Sequence, residues 1–151
     1  MLSQSVGYAA AALGIIAAAR DKPLLIREIA EAADIPTPYL AKLIHILGRK
    51  RIVETQRGIG GGVLLARPAK EISLFDLCEY FDDPVIRQRC MLGAGDCSDE
   101  RACPCHKFWV ELRKRQIAFL KETSIADIAR FEKREIARLS KSPELVQKLK
   151  G

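Results

Sequence analysis

The first 19 residues carry no charged side chain. Such a stretch could indicate a signal peptide or a membrane span, but no basic residues precede it, and Ser3, Gln4, Ser5 and Tyr8 interrupt it. Its alanine-rich composition is also too weakly hydrophobic to anchor stably in a bilayer. We therefore expect a buried helix here, in a protein of the reducing cytoplasm that has no membrane partner.

The sequence also lacks the residue patterns of the common catalytic sites. No nucleophile with a base and no pair of carboxylates is visible, and the glycines near position 60 are not part of a G-x-x-x-x-G-K-[ST] motif. Internal repeats and low-complexity segments are absent as well. An enzyme is therefore the least expected class, and 151 residues with 48% hydrophobic content predict one folded domain.

Acidic residues are scarce between positions 42 and 70, where Glu54 is the lone carboxylate. The cations of this stretch are Lys42, Arg49, Lys50, Arg51, Arg57, Arg67 and Lys70. They account for much of the formal net charge of +6. A local excess of positive charge of this kind indicates a polyanionic partner such as DNA.

Periodicity and turn residues predict three helices followed by a hairpin in the first half of the chain. Ser3 can cap a first helix that runs to about Arg20, a second helix spans about 24–33, and Thr37 as N-cap with Pro38 next begins a third. Strands over about 51–55 and 62–67 flank a glycine-rich tip. Two short helices joined by a tight turn and followed by a hairpin are typical of a winged helix-turn-helix.

In such a fold, the exposed side of the third helix would read the major groove, and the hairpin tip would reach the DNA backbone or the minor groove. A structural helix pair with a solvated basic face is the alternative. The candidate DNA-contacting residues are Thr37, Tyr39, Lys42, His45, Arg57 and Gly60.

The second half of the chain predicts a helix over about 73–81, with Cys78 as a buried hydrophobe, and a long helix from 107 with a broad apolar stripe. A capping box at Ser124 and Asp127 predicts that the long helix re-caps or kinks before it continues to about 139. A monomer offers too little surface to cover the stripe, so we expect a homodimer interface. Its candidate residues are Trp109, Leu112, Ile117 and Leu120.

The expected fold is therefore mainly α: a winged helix-turn-helix domain with a small β-hairpin wing and a long C-terminal dimerisation helix. We assign 1–84 to the DNA-binding domain, 85–106 to a cysteine-rich loop that binds a cluster, 107–139 to the dimerisation helix and 140–151 to a flexible tail.

Four of the five cysteines and one of the two histidines lie in the run CMLGAGDCSDERACPCH, residues 90–106. Thiolates and imidazole bind iron and zinc, and the glycines of the run allow a loop to wrap an ion. Zinc modules usually bring ligands in CxxC-like pairs, whereas Cys90, Cys97 and Cys103 are evenly spread. The spacing favours an iron–sulfur cluster, with structural zinc or unliganded cysteines as the alternatives.

The chain resembles the Rrf-two family of bacterial winged helix-turn-helix regulators, and in particular its IscR-like iron–sulfur members, over nearly its whole length. The resemblance rests on IPTPYLAKL (35–43), RGIGGGVLLAR (57–67), ISLFD (72–76), the three spaced cysteines and the pair at 108–109. It implies a homodimer whose long helices cross and whose recognition helices and wings meet a palindromic operator. It also implies a cluster on Cys90, Cys97 and Cys103.

The fourth ligand is a choice between His106 and Cys105. Some family members use a carboxylate of the first helix, but no Asp or Glu precedes Asp21 here. His106 matches the histidine of IscR-like members, which implies a [2Fe–2S] cluster, whereas Cys105 would favour a [4Fe–4S] cluster. A helical turn would let Cys103 and His106 both point inward while Cys105 faces away, so we favour His106.

The resemblance implies a regulator that senses iron–sulfur status, oxygen or nitric oxide. The alternative is a metal-free regulator of the same fold whose cysteines respond by oxidation, or which acts through a partner protein. An electron-transfer protein is disfavoured because such a protein does not need a winged DNA-binding segment, and because no second cofactor motif is visible in the sequence.

Overall fold

A computed structural model describes residues 1–93, 95–101, 103–139 and 143–150 of the chain. The helices are α1 (Gln4–Ala18), α2 (Ile26–Ala33), α3 (Thr37–Arg49), α4 (Leu74–Tyr80), α5 (His106–Glu122), α6 (Ile125–Leu139) and α7 (Pro143–Leu149), and the strands are β1 (Val53–Gln56) and β2 (Gly62–Leu65). The mainly α, winged helix-turn-helix architecture predicted from the sequence is confirmed.

The uncharged first helix is the centre of the core. Ser3 is its N-cap, as predicted, and its apolar side chains are buried against α2, α4 and α6. Burial by neighbouring helices explains why this segment carries no charge. Across the described residues, no helix is long and apolar enough to cross a membrane.

Gly14 sets how closely α6 approaches α1. A Cβ atom added there would lie 2.7 Å from Cγ2 of Ile128 and 3.3 Å from the Ile128 carbonyl carbon. Gly7 lies on the same helix, but a Cβ atom there would have no neighbour within 4 Å. The two glycines of α1 therefore differ in purpose, because only Gly14 makes room for a second helix.

We expect Gly14→Ala to destabilise the fold by about 1–3 kcal/mol, because the added methyl group forces α1 and α6 apart. Gly7→Ala should instead stabilise it by about 0.5–1 kcal/mol, since alanine favours the helix and meets no neighbour. Urea unfolding of both variants measures the difference. Equal free energies of unfolding for the two variants would contradict the close packing at Gly14.

The third helix begins one residue earlier than predicted. Pro36 takes the N-cap position with φ −56° and ψ 123°, and Thr37 is the first helical residue, so the Thr37 hydroxyl does not cap the helix. The extended conformation of proline is sufficient for an N-cap backbone, which is why no capping side chain is needed.

The hairpin is anchored to the connection between α1 and α2. Its strands pair antiparallel from Val53 opposite Leu65 to Gln56 opposite Gly62. Leu24 and Val63 exchange two backbone hydrogen bonds, of 3.2 and 2.8 Å. A Cβ atom on Gly62 would lie 2.6 Å from the Leu24 carbonyl oxygen, so glycine is required for this close approach.

The long C-terminal helix is broken at the predicted capping box. Ser124 and Asp127 exchange the expected hydrogen bonds, with Ser124 N–H and Oγ donating to Asp127 Oδ2 at 2.8 and 2.7 Å. The chain then turns, and α6 packs along α1 of the same chain, with Ile125 and Ile136 buried. A single dimerisation helix over 107–139 is therefore wrong, because α6 belongs to the core.

The flexible tail expected at 140–151 is wrong for residues 143–149. These residues form α7, whose Leu145 and Leu149 are buried. Lys148 Nζ forms an ion pair of 2.5 Å with Glu28 of α2. Positions 140–142 and 151 lie outside the described residues.

Candidate functional site

The recognition helix α3 presents one polar side to solvent. Leu40, Leu43, Ile44 and Leu47 are buried in the core. Thr37, Lys42 and His45, predicted to contact DNA, are exposed on the other side. Exposure is what a base-reading role requires, and the contact itself stays a prediction.

Tyr39 has a different environment from its neighbours on α3. Its hydroxyl lies 2.7 Å from Ser5 Oγ of α1, and its ring packs edge-on against Tyr8 with centroids 5.7 Å apart. The side chain is half-buried. The Tyr39 hydroxyl therefore has one partner inside the chain, and a contact between DNA and Tyr39 stays a prediction.

The hairpin tip projects away from the core. Arg57 and Gly60 are exposed, and Gly60 has a φ of +76°, which favours glycine. Ile59 between them is fully exposed. The tip therefore offers one cation and a flexible backbone to a partner.

Arg49 and Arg51, at the end of α3, are also exposed and extend the basic surface. No ion pair to Lys42, Arg49, Arg51 or Arg57 occurs in the part of the chain that the structure describes. Both arginines were counted in the basic segment but not among the candidate contacts. Their positions at and just after the C-terminus of α3 were the sequence signal that could have identified them as candidate contacts.

The cysteine loop carries its donors around one small cavity. Cys90, Cys97, Cys103 and His106 line a space of about 190 Å³. Cys97 Sγ lies 3.1 Å from Nδ1 of His106, whose Nε2 lies 2.7 Å from Oδ1 of Asp99. His106 is the first residue of α5, so the rigid helix positions this ring.

Cys105 does not line this cavity, although its thiol interacts with Cys103 and Cys90. Its pKa is raised by burial first, then by the charge of Cys103, a side-chain hydrogen bond with Cys103 and the charge of Cys90. Cys105 is the N-cap residue of α5, with a helical backbone conformation, and its thiol forms a hydrogen bond with Cys103. Both candidate fourth ligands therefore lie beside the spaced cysteines.

The donors fit an iron–sulfur cluster by their chemistry, since thiolates and imidazole are its usual ligands. Within residues 1–93, 95–101, 103–139 and 143–150, no three His, Cys, Asp or Glu side chains stand close enough to hold one metal ion. Cys90 and Cys97 lie in irregular segments. An isolated antiparallel β-bridge between Arg89 and Asp96 joins these segments, as does a 2.9 Å hydrogen bond from Cys90 N–H to the Gly95 carbonyl. Ligand binding would therefore require the loop to close further around the cavity.

Cys78 lies apart from the loop, as predicted. It is fully buried on α4, where desolvation and then the charge of Asp83 raise its pKa to about 11. Its burial on α4 and its absence from the cavity lining keep Cys78 outside the candidate ligand set.

The segment that leads into the loop is held against α5 at two points. Nε1 of Trp109 donates to the Arg89 carbonyl at 2.7 Å, and the Arg113 guanidinium donates to the Val85 and Ile86 carbonyls at 3.5 and 3.3 Å. The backbone just before Cys90 therefore depends on α5 for its position.

The apolar stripe of α5 faces a different direction from the one predicted. Leu120 is only 3% exposed, and Ile117 packs on the same core, while Trp109 is bound to the loop. Leu112 is 42% exposed and shares its side of the helix with Phe108 and Phe119, at 62% and 60%. Spacings of four and seven residues place these three on one face.

This exposed face is defined here as the α5 apolar face, consisting of Phe108, Leu112 and Phe119. Leu120 and Ile117 pack on the core of their own chain, and Trp109 is hydrogen-bonded to the Arg89 carbonyl, so the assignment of these three residues to a subunit interface stays a prediction. Phe108 and Phe119 lie on this face with Leu112 and were not among the candidate interface residues. Their spacing relative to Leu112 was the signal for them.

Comparison with known proteins places this site in context. The sequence matches the Rrf2 family, described as an iron-dependent transcriptional regulator, over residues 2–130. An Aquifex aeolicus protein that is named as an HTH-type transcriptional regulator is 34% identical over 143 residues, covering 93% of this chain and 99% of that protein. The HTH-type transcriptional regulator IscR of Cereibacter sphaeroides is 34% identical over 138 residues, covering 88% and 89%.

Solved structures show the same fold at lower identity. CymR, the global cysteine regulator of B. subtilis, superposes with a TM-score of 0.71 at 19% identity, covering 87% of this chain and 97% of that one. IscR of T. potens gives a TM-score of 0.64 at 23% identity, covering 86% of each chain. One neighbour is named IscR and the other is named as a cysteine regulator, so the fold alone does not separate the two.

Proposed function

We propose that this chain, which belongs to the Rrf2 family of transcriptional regulators, senses iron–sulfur status, oxygen or nitric oxide through a cluster on its cysteine loop. The family binds DNA, and its members are regulators, so the chain is not an enzyme. Homodimers would bind a palindromic operator through α3 and the hairpin tip. The observation that carries the proposal is that Cys90, Cys97, Cys103 and His106 open onto one cavity at the start of α5.

Cys90, Cys97 and Cys103 would hold the cluster as thiolates, with His106 as the fourth ligand and Cys105 as its rival. A [2Fe–2S] cluster is favoured over [4Fe–4S]. When bound, the cluster supplies one-electron chemistry and reactivity towards oxygen and nitric oxide. Asp99 at Nε2 leaves Nδ1 of His106 directed at Cys97, which supports the histidine as a donor on the thiolate side.

The direct test of the proposal is anaerobic purification followed by visible absorbance and analysis of iron and acid-labile sulfide. We expect coloured protein with iron and sulfide in equal amounts. Colourless protein that contains only zinc would contradict the cluster. The same preparation, converted to the metal-free form, should differ in operator affinity from the loaded form.

For the fourth ligand, we expect His106→Ala to alter the absorbance spectrum and speed cluster loss in air. Cys105→Ala should leave the spectrum largely unchanged. A site of three thiolates and one neutral imidazole also has a higher reduction potential than a site of four thiolates. The reverse outcome for the two variants would assign Cys105 and favour [4Fe–4S].

For DNA contact, we expect Arg57→Ala and Lys42→Ala each to weaken operator binding, because each removes a cation from the interface. Arg57→Ala should also lower the slope of log affinity against log salt by about one unit. Fluorescence anisotropy across a salt series measures both effects. Lys107→Ala, an exposed change on α5, is the control. Wild-type affinity and slope in both test variants would exclude the proposed surface.

A metal-free redox regulator is the second candidate, favoured by the hydrogen bond between Cys105 and Cys103. Adjacent thiols could form a disulfide when oxidised. The raised pKa of Cys105 disfavours its thiolate and so weakens this candidate. Operator binding that is unchanged by iron removal, but altered reversibly by peroxide and then thiol reductant, would establish it.

A further inference from the structure

We infer that Asp83 and Tyr39 are positioning residues that couple the cysteine loop to the recognition helix through the first turn of α1. Neither residue is required to touch DNA or a cluster. The inference rests on the proposed role of the loop as the sensor, and its test is independent of whether a cluster binds.

Asp83 is the buried charged side chain of the described residues, at 1% exposure. Its Oδ2 accepts the Ser3 N–H at 2.8 Å, and its Oδ1 accepts the Val85 N–H at 2.9 Å. Burial alone would raise its pKa, but the hydrogen bonds from Val85 and Ser3 outweigh burial, and the pKa is lowered. The residue is therefore an anionic clamp between the start of α1 and the chain leading into the loop.

Breaking either hydrogen bond to the Asp83 carboxylate, the one from Ser3 or the one from Val85, costs free energy. A buried carboxylate that loses one of its donors keeps the desolvation cost without the compensating hydrogen bond. Ser3 and Val85 are 82 positions apart in the sequence, yet each donates to the same carboxylate. A shift of the Val85 backbone therefore either moves Ser3 or breaks one of the two bonds.

The loop side of the clamp is tied to α5. Arg113 donates to the carbonyls of Val85 and Ile86, and Trp109 donates to the carbonyl of Arg89, next to Cys90. Closure of the loop around a ligand would pull on this segment. The strain reaches Asp83 because only one residue separates it from Val85.

The other side of the clamp reaches DNA-facing residues through α1. Ser3 caps α1, and Ser5, within the same first turn, bonds the Tyr39 hydroxyl at 2.7 Å. Tyr39 and Lys42 are three positions apart on α3, so they lie one turn apart. A small movement of the first turn of α1 would thus shift the exposed side of the recognition helix.

Coupling between two sites is reciprocal, so DNA on α3 must affect the loop as much as the loop affects DNA binding. This allows a test with metal-free, fully reduced, full-length protein. The DNA probe is a duplex that this protein enriches from a random-sequence library. Iodoacetamide alkylation of Cys97 and Cys103, followed by peptide mass spectrometry, reports the state of the loop with and without the duplex.

The test variants are Tyr39→Phe, Ser5→Ala and Asp83→Asn. Tyr8→Phe is the matched control, because the Tyr8 hydroxyl is bonded within α1, to Nε2 of Gln4 at 3.1 Å. We expect saturating duplex to change the alkylation rates about fivefold or more in the wild type and in Tyr8→Phe. The three test variants should show changes below about twofold.

A wild-type response in Tyr39→Phe and Ser5→Ala would overturn the coupling, and so would unchanged alkylation in the wild type. Tyr39→Phe and Ser5→Ala remove little volume and keep the test decisive if Asp83→Asn fails to fold. The double variant Tyr39→Phe with Ser5→Ala should lose no more of the alkylation response than either single variant, because both substitutions delete the same hydrogen bond. Iron and sulfide content decides the cluster separately, so the two ideas fail independently.

Discussion

Cys90→Ala, Cys97→Ala and Cys103→Ala should each reduce bound iron to less than about a tenth of the wild-type amount after anaerobic purification. Each change removes one of the three thiols that line the cavity among the described residues, and the neighbouring Cys105 does not line it. Iron analysis per mole of folded protein makes the measurement.

Cys78→Ala is the matched control for these variants. It removes a thiol from the same chain, but from a fully buried position on α4 outside the loop. Its iron content should equal that of the wild type. Full iron retention by two of the three loop variants would refute the proposed ligand set, as would iron loss in the Cys78 variant.

Leu112→Glu and Phe119→Glu should each convert a dimer into a monomer, because a carboxylate would be buried at the centre of the α5 apolar face. The expected loss of association free energy is at least about 2 kcal/mol, or roughly a thirtyfold weaker dimer. Sedimentation velocity over a concentration series measures it. Operator binding should fall with the dimer, since two half-sites need two recognition helices.

Lys114→Glu is the control for this experiment, because residues two apart do not share a helix face. Lys114 is exposed and lies next to Arg113 on the side of α5 that meets the loop. It should leave the dimer intact. A wild-type protein that sediments as a folded monomer at all concentrations would remove the basis for the α5 apolar face as an interface.

Local signals allowed much of the fold to be predicted. The capping box at Ser124, the glycine-rich tip and the buried position of Cys78 depend on residues close in sequence, and each is found where expected. Short-range patterns of this kind are determined by backbone hydrogen bonds and side-chain periodicity. They predict that an element exists, and they predict which side of it is buried.

Local sequence patterns did not predict which element packs against a given apolar helix face. The whole span 107–139 was assigned to the dimerisation helix, yet its α6 part packs on α1 across Gly14. Phe108 and Trp109 are adjacent, and only the hydrogen bond from Trp109 to Arg89 decides which one turns inward. The hydrogen bond between Tyr39 and Ser5 was not predicted either, because the two residues lie 34 positions apart in the sequence.

The paired backbone bonds between Leu24 and Val63 have a consequence for operator choice. They join the hairpin to the helix-turn-helix, so the angle between wing and recognition helix is fixed within one subunit. A regulator built in this way has little freedom to adapt to an altered half-site. The distance between the DNA-binding units of the two subunits remains adjustable. A change in the number of base pairs between the half-sites should therefore affect operator affinity more strongly than a single base-pair substitution within a half-site.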